Sequence, residues 1–105
     1  MTDARLEGEA PAALRLTGEL RAATVPGLLA GLPVSAAVHQ LDLGGLGAID
    51  SAGLALLLEW QRRLEAAGGA LRIERAPDRL VRLARISGVD RLLGLQDNEP
   101  GMTEQ

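Results

Sequence analysis

Leu41-Asp42-Leu43-Gly44-Gly45-Leu46-Gly47-Ala48-Ile49-Asp50-Ser51-Ala52-Gly53-Leu54 runs from an apolar, strand-like segment through a glycine-rich turn directly into the start of a helix. The first N–H groups of a helix have no intrahelical partner and lie at the positive end of its dipole. A Ser at that entry is a good cap and equally a good place for a phosphate, which would change the outward face by about −1.5 to −2 charges. Downstream, Ser51 to Ala67 reads as the longest helix: Leu54, Leu57, Leu58 and Leu64 recur at helical spacing and Gly68-Gly69 stops the run. Leu56 and Trp60, one turn apart, widen its apolar arc to about 200°, more than a stripe facing a sheet requires. That excess reads as surface kept for a permanent partner, with ordinary core as the plainer alternative.

Outward from this junction the periods alternate. Val38 to Leu43 is apolar enough for a central strand, and Ala13 to Leu20 alternates strictly, with Leu14, Leu16, Gly18 and Leu20 on one side and Arg15, Thr17 and Glu19 on the other. Residues 4–10 alternate more weakly and pair with it as an edge strand across Ala10-Pro11-Ala12. Thr24, ahead of Pro26, caps a short helix carrying Leu28, Leu29 and Leu32 until Pro33 ends it. Ala70 to Glu74 alternates as a further strand. Pro77-Asp78 opens another helix, with Leu80, Leu83 and Ala84 inward and Arg79, Arg82 and Arg85 on a solvated face, ending near Ser87-Gly88. Val89 to Leu95 gives a last short strand or turn of helix, and the polar stretch 96–105 has little to bury and reads as a disordered tail. This order predicts an α/β fold, a mixed four- to five-stranded sheet covered by helices mainly on one face, in one domain over residues 1–95.

Composition narrows the chemistry. With 105 residues there is room for one core, and Trp60 is the only aromatic residue, so that core is aliphatic. No cysteine is present, which removes thiolate metal sites and cysteine nucleophiles and fits a reducing cytoplasm. No lysine is present either, which removes a Walker-A loop, a Schiff-base lysine and a Ser-Lys dyad. The net charge of −3 is spread over interleaved Arg and Asp/Glu without a basic face bearing aromatics, so nucleic acid is not an expected partner. The first residues lack the order of a signal peptide, and no apolar run approaches the ~20 residues that cross a bilayer. His39 stands alone, without ligands for a metal site or a triad. Gly44-Gly45-Leu46-Gly47 is not a dinucleotide fingerprint, since the third glycine position falls on Asp50. Asp42 and Asp50 have no nucleophile or ligand set beside them, so no enzyme and no cofactor is expected.

The residues Leu14-Arg15-Leu16-Thr17-Gly18-Glu19-Leu20, Leu41-Asp42-Leu43, Ile49-Asp50-Ser51-Ala52-Gly53-Leu54, Gly68-Gly69-Ala70-Leu71 and Ser87-Gly88-Val89-Asp90-Arg91-Leu92-Leu93 resemble, in this order and spacing, those of STAS domains, named for sulphate transporters and anti-sigma-factor antagonists. The resemblance covers roughly residues 12–95 and implies the STAS fold and a non-catalytic binding role. One branch, the small STAS subunit of the Mla-type ABC transporter that moves phospholipid between Gram-negative membranes and maintains outer-membrane lipid asymmetry, carries a Thr or Ser here that supports binding to the ATPase subunit. Asp50-Ser51-Ala52-Gly53-Leu54-Ala55-Leu56-Leu57-Leu58 looks closer to that branch. It implies a cytoplasmic protein, peripheral to the inner membrane through its ATPase partner and without insertion of its own, that binds through Asp50, Ser51, Ala52, Gly53, Leu56 and Trp60. The other branch, the anti-sigma-factor antagonists, implies Ser51 as phosphoacceptor for a partner serine kinase. A third reading, of a different class, is a small-ligand or nucleotide sensor built on the glycine-rich turn.

Overall fold

The computed structural model describes residues 4–95. The period-two segments form five strands, β1 (Arg5–Glu9), β2 (Ala13–Leu20), β3 (Val38–Asp42), β4 (Leu46–Ile49) and β5 (Ala70–Glu74), with two helices, α1 (Ser51–Ala66) and α2 (Asp78–Ile86). β1 runs antiparallel to β2, while β3, β4 and β5 join as parallel strands. β2 is long enough to serve two partners in turn: Leu14 lies opposite Leu41 of β3, and Leu20 lies opposite Ile49 of β4. β3 and β4 therefore share one lane of the sheet, interrupted by Gly44-Gly45. The register shifts along β2 between Gly18 and Leu20, and Gly18 takes φ +89°, a left-handed conformation that a residue with a Cβ adopts only under strain.

Leu14, Leu16, Leu20, Leu41, Leu71 and Ile73 project from one face and are buried against the apolar stripe of α1 (Leu54, Leu57, Leu64) and that of α2 (Leu80, Ala84). The sheet is thus mixed and covered on one face, as the sequence predicts. The other face is open and charged: Glu7 lies opposite Arg15, and Arg15 opposite Asp42. Arg75 donates to both Asp42 oxygens, at 3.0 and 2.7 Å, and with the Gly44 N–H at 2.8 Å holds that carboxyl below its ordinary range.

Along the strands and turns the structure departs from the sequence reading in two places and decides a third between its two readings. The stretch expected as a helix capped by Thr24 is a single 3-10 turn at Val25–Gly27. The Thr24 hydroxyl instead accepts from Arg21 N–H at 3.0 Å and donates to the Glu19 carbonyl at 2.9 Å. Leu28 and Leu32 are nevertheless buried, so their spacing reflected packing rather than a helix, in a segment that Pro26-Gly27, Gly31 and Pro33 interrupt. The glycine-rich turn is shorter than expected, because Leu46–Ile49 resumes the strand as β4. Val89 to Leu95 takes helix-like turns, the second of its two readings, through Leu93 N–H to Val89 O at 3.3 Å and Leu95 N–H to Asp90 O at 2.8 Å. The tail expected over 96–105 lies outside the described residues.

A further correction concerns α1. Leu56 is 1% exposed and Trp60 0%, so neither offers surface to a partner. The wide apolar arc is real, but α1 is walled on more than one side: α2 packs beside it, and the crossover segment 21–37 is strapped to it. The Trp60 indole N–H and the Arg63 guanidinium both donate to the Leu29 carbonyl, at 3.2 and 3.0 Å. Replacement of Leu56 by Ala should lower unfolding free energy by about 2–5 kcal/mol in urea denaturation, the range for a fully buried leucine, whereas Leu56→Met should cost less than about 1.5 kcal/mol.

The outward side of α1 is polar. Glu59 accepts from Arg62 at 2.9 and 2.6 Å and from Arg63 at 2.8 Å, and these hydrogen bonds pull its pKa from 4.5 down to about 2. A depressed carboxylate contributes stability that is present above its unfolded value and lost as pH falls through the folded one, here between 4.5 and about 2. An NMR titration of the Glu59 side chain should give a midpoint near 2, and Arg62→Ala with Arg63→Ala should return it toward 4.5.

Candidate functional site

The carboxyl end of β4 delivers Asp50 in an extended conformation, φ −124° and ψ −172°, immediately before α1. Its backbone N–H donates to the Leu20 carbonyl at 3.2 Å and its carbonyl accepts from Leu54 N–H at 3.1 Å, which ties the end of β2 to the first turn of the helix. Its side chain does more. Oδ1 accepts from the backbone N–H of Ala52 at 2.9 Å and of Gly53 at 3.2 Å, and Oδ2 accepts from Ala22 N–H at 3.2 Å. Asp50 is therefore the cap, and one carboxylate occupies two otherwise orphaned helix donors together with an amide of the loop after β2.

Ser51, read as the cap from sequence, is the first helical residue, exposed, and its hydroxyl has no hydrogen-bond partner among the described residues. Gly53 is buried, and a Cβ there would come within 2.8 Å of the Leu20 carbonyl oxygen and Leu20 Cγ and 2.9 Å of Ile49 Cγ1. Its lack of a side chain lets the start of α1 sit directly on the ends of β2 and β4. Of the six expected contact residues, then, the structure brings Asp50, Ser51, Ala52 and Gly53 together at one end of the sheet and places Gly53, Leu56 and Trp60 in the interior. Ser51 lies among small side chains: Ala22 and Ala23 are exposed on the adjoining loop, and Ala55 is exposed one helical turn on. An ion pair between Arg21 and Glu19, at 2.8 Å, borders this area.

This surface suits close approach by another protein more than chemistry on a small molecule. Small side chains let a partner backbone come near, and the uncommitted hydroxyl can donate or accept at the contact or take a phosphate. A phosphate on Ser51 would find Ala52 and Gly53 N–H already held by Asp50 and would project outward beside that carboxylate. In the glycine-rich turn two amides are likewise engaged, Gly44 N–H by Asp42 Oδ1 at 2.8 Å and Leu46 N–H by the Leu43 carbonyl at 3.0 Å, so the turn does not present the row of free donors that cradles a nucleotide phosphate. Among the described residues no group of three or more His, Cys, Asp or Glu side chains is placed to hold a metal ion.

Sequence reasoning missed the loop 21–24 as part of this site. The link runs from Asp50 to a backbone amide, and an alanine that contributes only its N–H leaves no trace in side-chain patterns.

The fold has counterparts among known proteins. The family model described as "Mlab, STAS domain" matches residues 4–95. The solved structure of the anti-sigma factor antagonist SpoIIAA in its unphosphorylated form superposes with a TM-score of 0.60 at 22% sequence identity, covering 87% of this chain and 98% of that one. A crystal structure of Mglu superposes with a TM-score of 0.54 at 29% identity over 71% of this chain; the chain spans 20% of the length of that protein. No curated protein sequence matches the chain.

The two neighbouring residues should respond differently to truncation. Asp50→Ala removes an acceptor shared by three amides and should cost about 1–2 kcal/mol in chemical denaturation, while Ser51→Ala, at an exposed hydroxyl without a partner, should stay within about 0.5 kcal/mol of wild type.

Proposed function

Because this chain belongs to the STAS domain family, we propose that it is a non-catalytic accessory subunit that binds and stabilises or regulates the ATPase of a phospholipid-moving, Mla-type ABC transporter, and so serves outer-membrane lipid asymmetry. The observation that carries this reading is the "Mlab, STAS domain" match across the whole described fold. The exposed end of the sheet supports it: Ser51 stands on the rigid platform built by Asp50 and Gly53, with Ala22, Ala23 and Ala55 around it. In this reading the contact is made by Ser51 and that small-residue rim, with Ala52 at its edge and Asp50 as the residue that fixes the geometry. Leu56, Trp60 and Gly53 act through the fold and not at the contact. The protein would then reside in the cytoplasm, at the inner membrane by way of its partner.

The second reading is an anti-sigma factor antagonist whose Ser51 is phosphorylated by a partner serine kinase. The free, exposed Ser51 hydroxyl favours it specifically, since a kinase needs an accessible acceptor.

The experiment is affinity capture of the tagged full chain from its native host, with mass spectrometry of the partners, comparing wild type with Ala55→Arg and Ser51→Ala. Both substitutions lie at exposed positions and leave the core intact. The transporter reading expects an ABC ATPase in the wild-type eluate, depleted at least tenfold by Ala55→Arg, which sets a bulky cation in the contact. Recovery of a serine kinase together with phosphate on Ser51 would overturn it in favour of the antagonist.

A further inference from the structure

Charge is not evenly distributed along this chain. Residues 75–91 carry five of its eleven arginines against Asp78 and Asp90, a net +3 within a protein whose overall charge is −3. Most of that excess belongs to α2. The inner side of the helix, Leu80, Val81 and Ala84, is buried, and at 100° per residue Arg79, Arg82 and Ile86 fall along the opposite, outward line. Within this segment Arg75 meets Asp42, and on α1 Arg62 and Arg63 meet Glu59. Arg79 and Arg82 enter no ion pair among the described residues. Ile86 ends this line with 84% of its surface exposed, the highest value among the exposed large apolar residues, and Leu92 follows in the next turn at 60%.

We propose that the outward line of α2 is a docking surface for an anionic lipid bilayer. Guanidiniums match lipid phosphates in geometry and charge, each contributing through the negative surface potential, and a branched aliphatic side chain at the end of the line reaches the boundary between headgroups and acyl chains. The positive local charge against a negative whole gives the molecule a polarity that favours turning this face toward a negative surface. An isoleucine and a leucine left in water beside unpaired arginines fit a bilayer better than an acidic peptide, which would use the charges and leave the aliphatic groups unemployed.

The topology leaves this contact independent of the Ser51 platform. α1 begins at the carboxyl end of the parallel strands and runs back along the sheet, β5 returns, and α2 runs back again, so Ile86 lies at the end of the sheet remote from Ser51. A protein bound at Ser51 and a membrane bound at Ile86 need not compete. The proposal does not rest on the identity of the partner at Ser51.

The test is co-sedimentation of the full chain with phosphatidylglycerol vesicles and, separately, with neutral phosphatidylcholine vesicles, at low and high salt. The expected result is retention by phosphatidylglycerol that salt reverses and no retention by phosphatidylcholine. Arg79→Glu with Arg82→Glu should weaken binding at least tenfold, and Ile86→Ser by about threefold, with thermal melting unchanged because all three side chains are outside the core. Wild type that ignores phosphatidylglycerol, binds both lipids alike, or binds equally well with the two arginines reversed overturns the assignment. Binding to polyglutamate but not to vesicles would also overturn it and give the surface to an acidic polypeptide.

Discussion

One carboxylate organises the end of the sheet at which α1 begins. Asp50 leaves β4 and immediately accepts from three backbone amides, two in the first turn of α1 and one in the loop after β2. Those bonds fix where the helix starts, and the start fixes its rotation: with Ser51 as the first helical residue, Leu54, Leu57 and Leu64 turn toward the sheet while Ser51 and Ala55 turn away. Gly53 completes the constraint by letting backbone meet backbone where any side chain would collide with Leu20 and Ile49. The exposed hydroxyl is therefore held on a short, stiff connection from the centre of the sheet and not on a loop of its own, the kind of placement that keeps a recognition group in one geometry.

The same stiffness explains which parts of the structure were legible in the chain. β2, β3 and β5 announced themselves because each buries one side against helices and leaves the other in water, which imprints alternation on Leu14 to Leu20, Val38 to Leu43 and Ala70 to Glu74. α1 and α2 were readable from leucine spacing and from their stops at Gly68 and Gly88. The platform residues Asp50 to Gly53 were legible through their resemblance to a known family, and the structure alters their roles: the aspartate caps, the serine is presented, the glycine packs. Leu56 and Trp60 misled because periodicity counts how many apolar residues a helix has and not how many neighbours will cover them. Here the crossover segment 21–37 supplies the extra wall, fastened by hydrogen bonds to the Leu29 carbonyl, and a backbone acceptor has no signature in sequence. β4 was hidden by the glycines beside it, since Leu46 to Ile49 is too short to show a period against Gly44, Gly45 and Gly47.

The charged groups divide by the company they keep. On the open face of the sheet, Glu7, Arg15, Asp42 and Arg75 form a neutral lattice in which each charge has an opposite neighbour, a solvated wall with little net field. Along the outward line of α2, Arg79 and Arg82 share one sign and end at the exposed Ile86. The chain thus shows three distinct outer surfaces on one small scaffold: an inert charged sheet, a compact neutral platform around Ser51 and a cationic helix face.

Trp60 closes the picture from the interior. It is the chain's single tryptophan, and there is no tyrosine or phenylalanine, so all of the protein's near-ultraviolet aromatic absorption and emission comes from one indole at 0% exposure. That indole donates to Leu29 of the crossover segment, which begins at the loop whose Ala22 N–H is held by Asp50. The molecule therefore carries a native optical reporter in its core, bonded to the strap formed by segment 21–37, and its spectrum reads the state of that strap without any label.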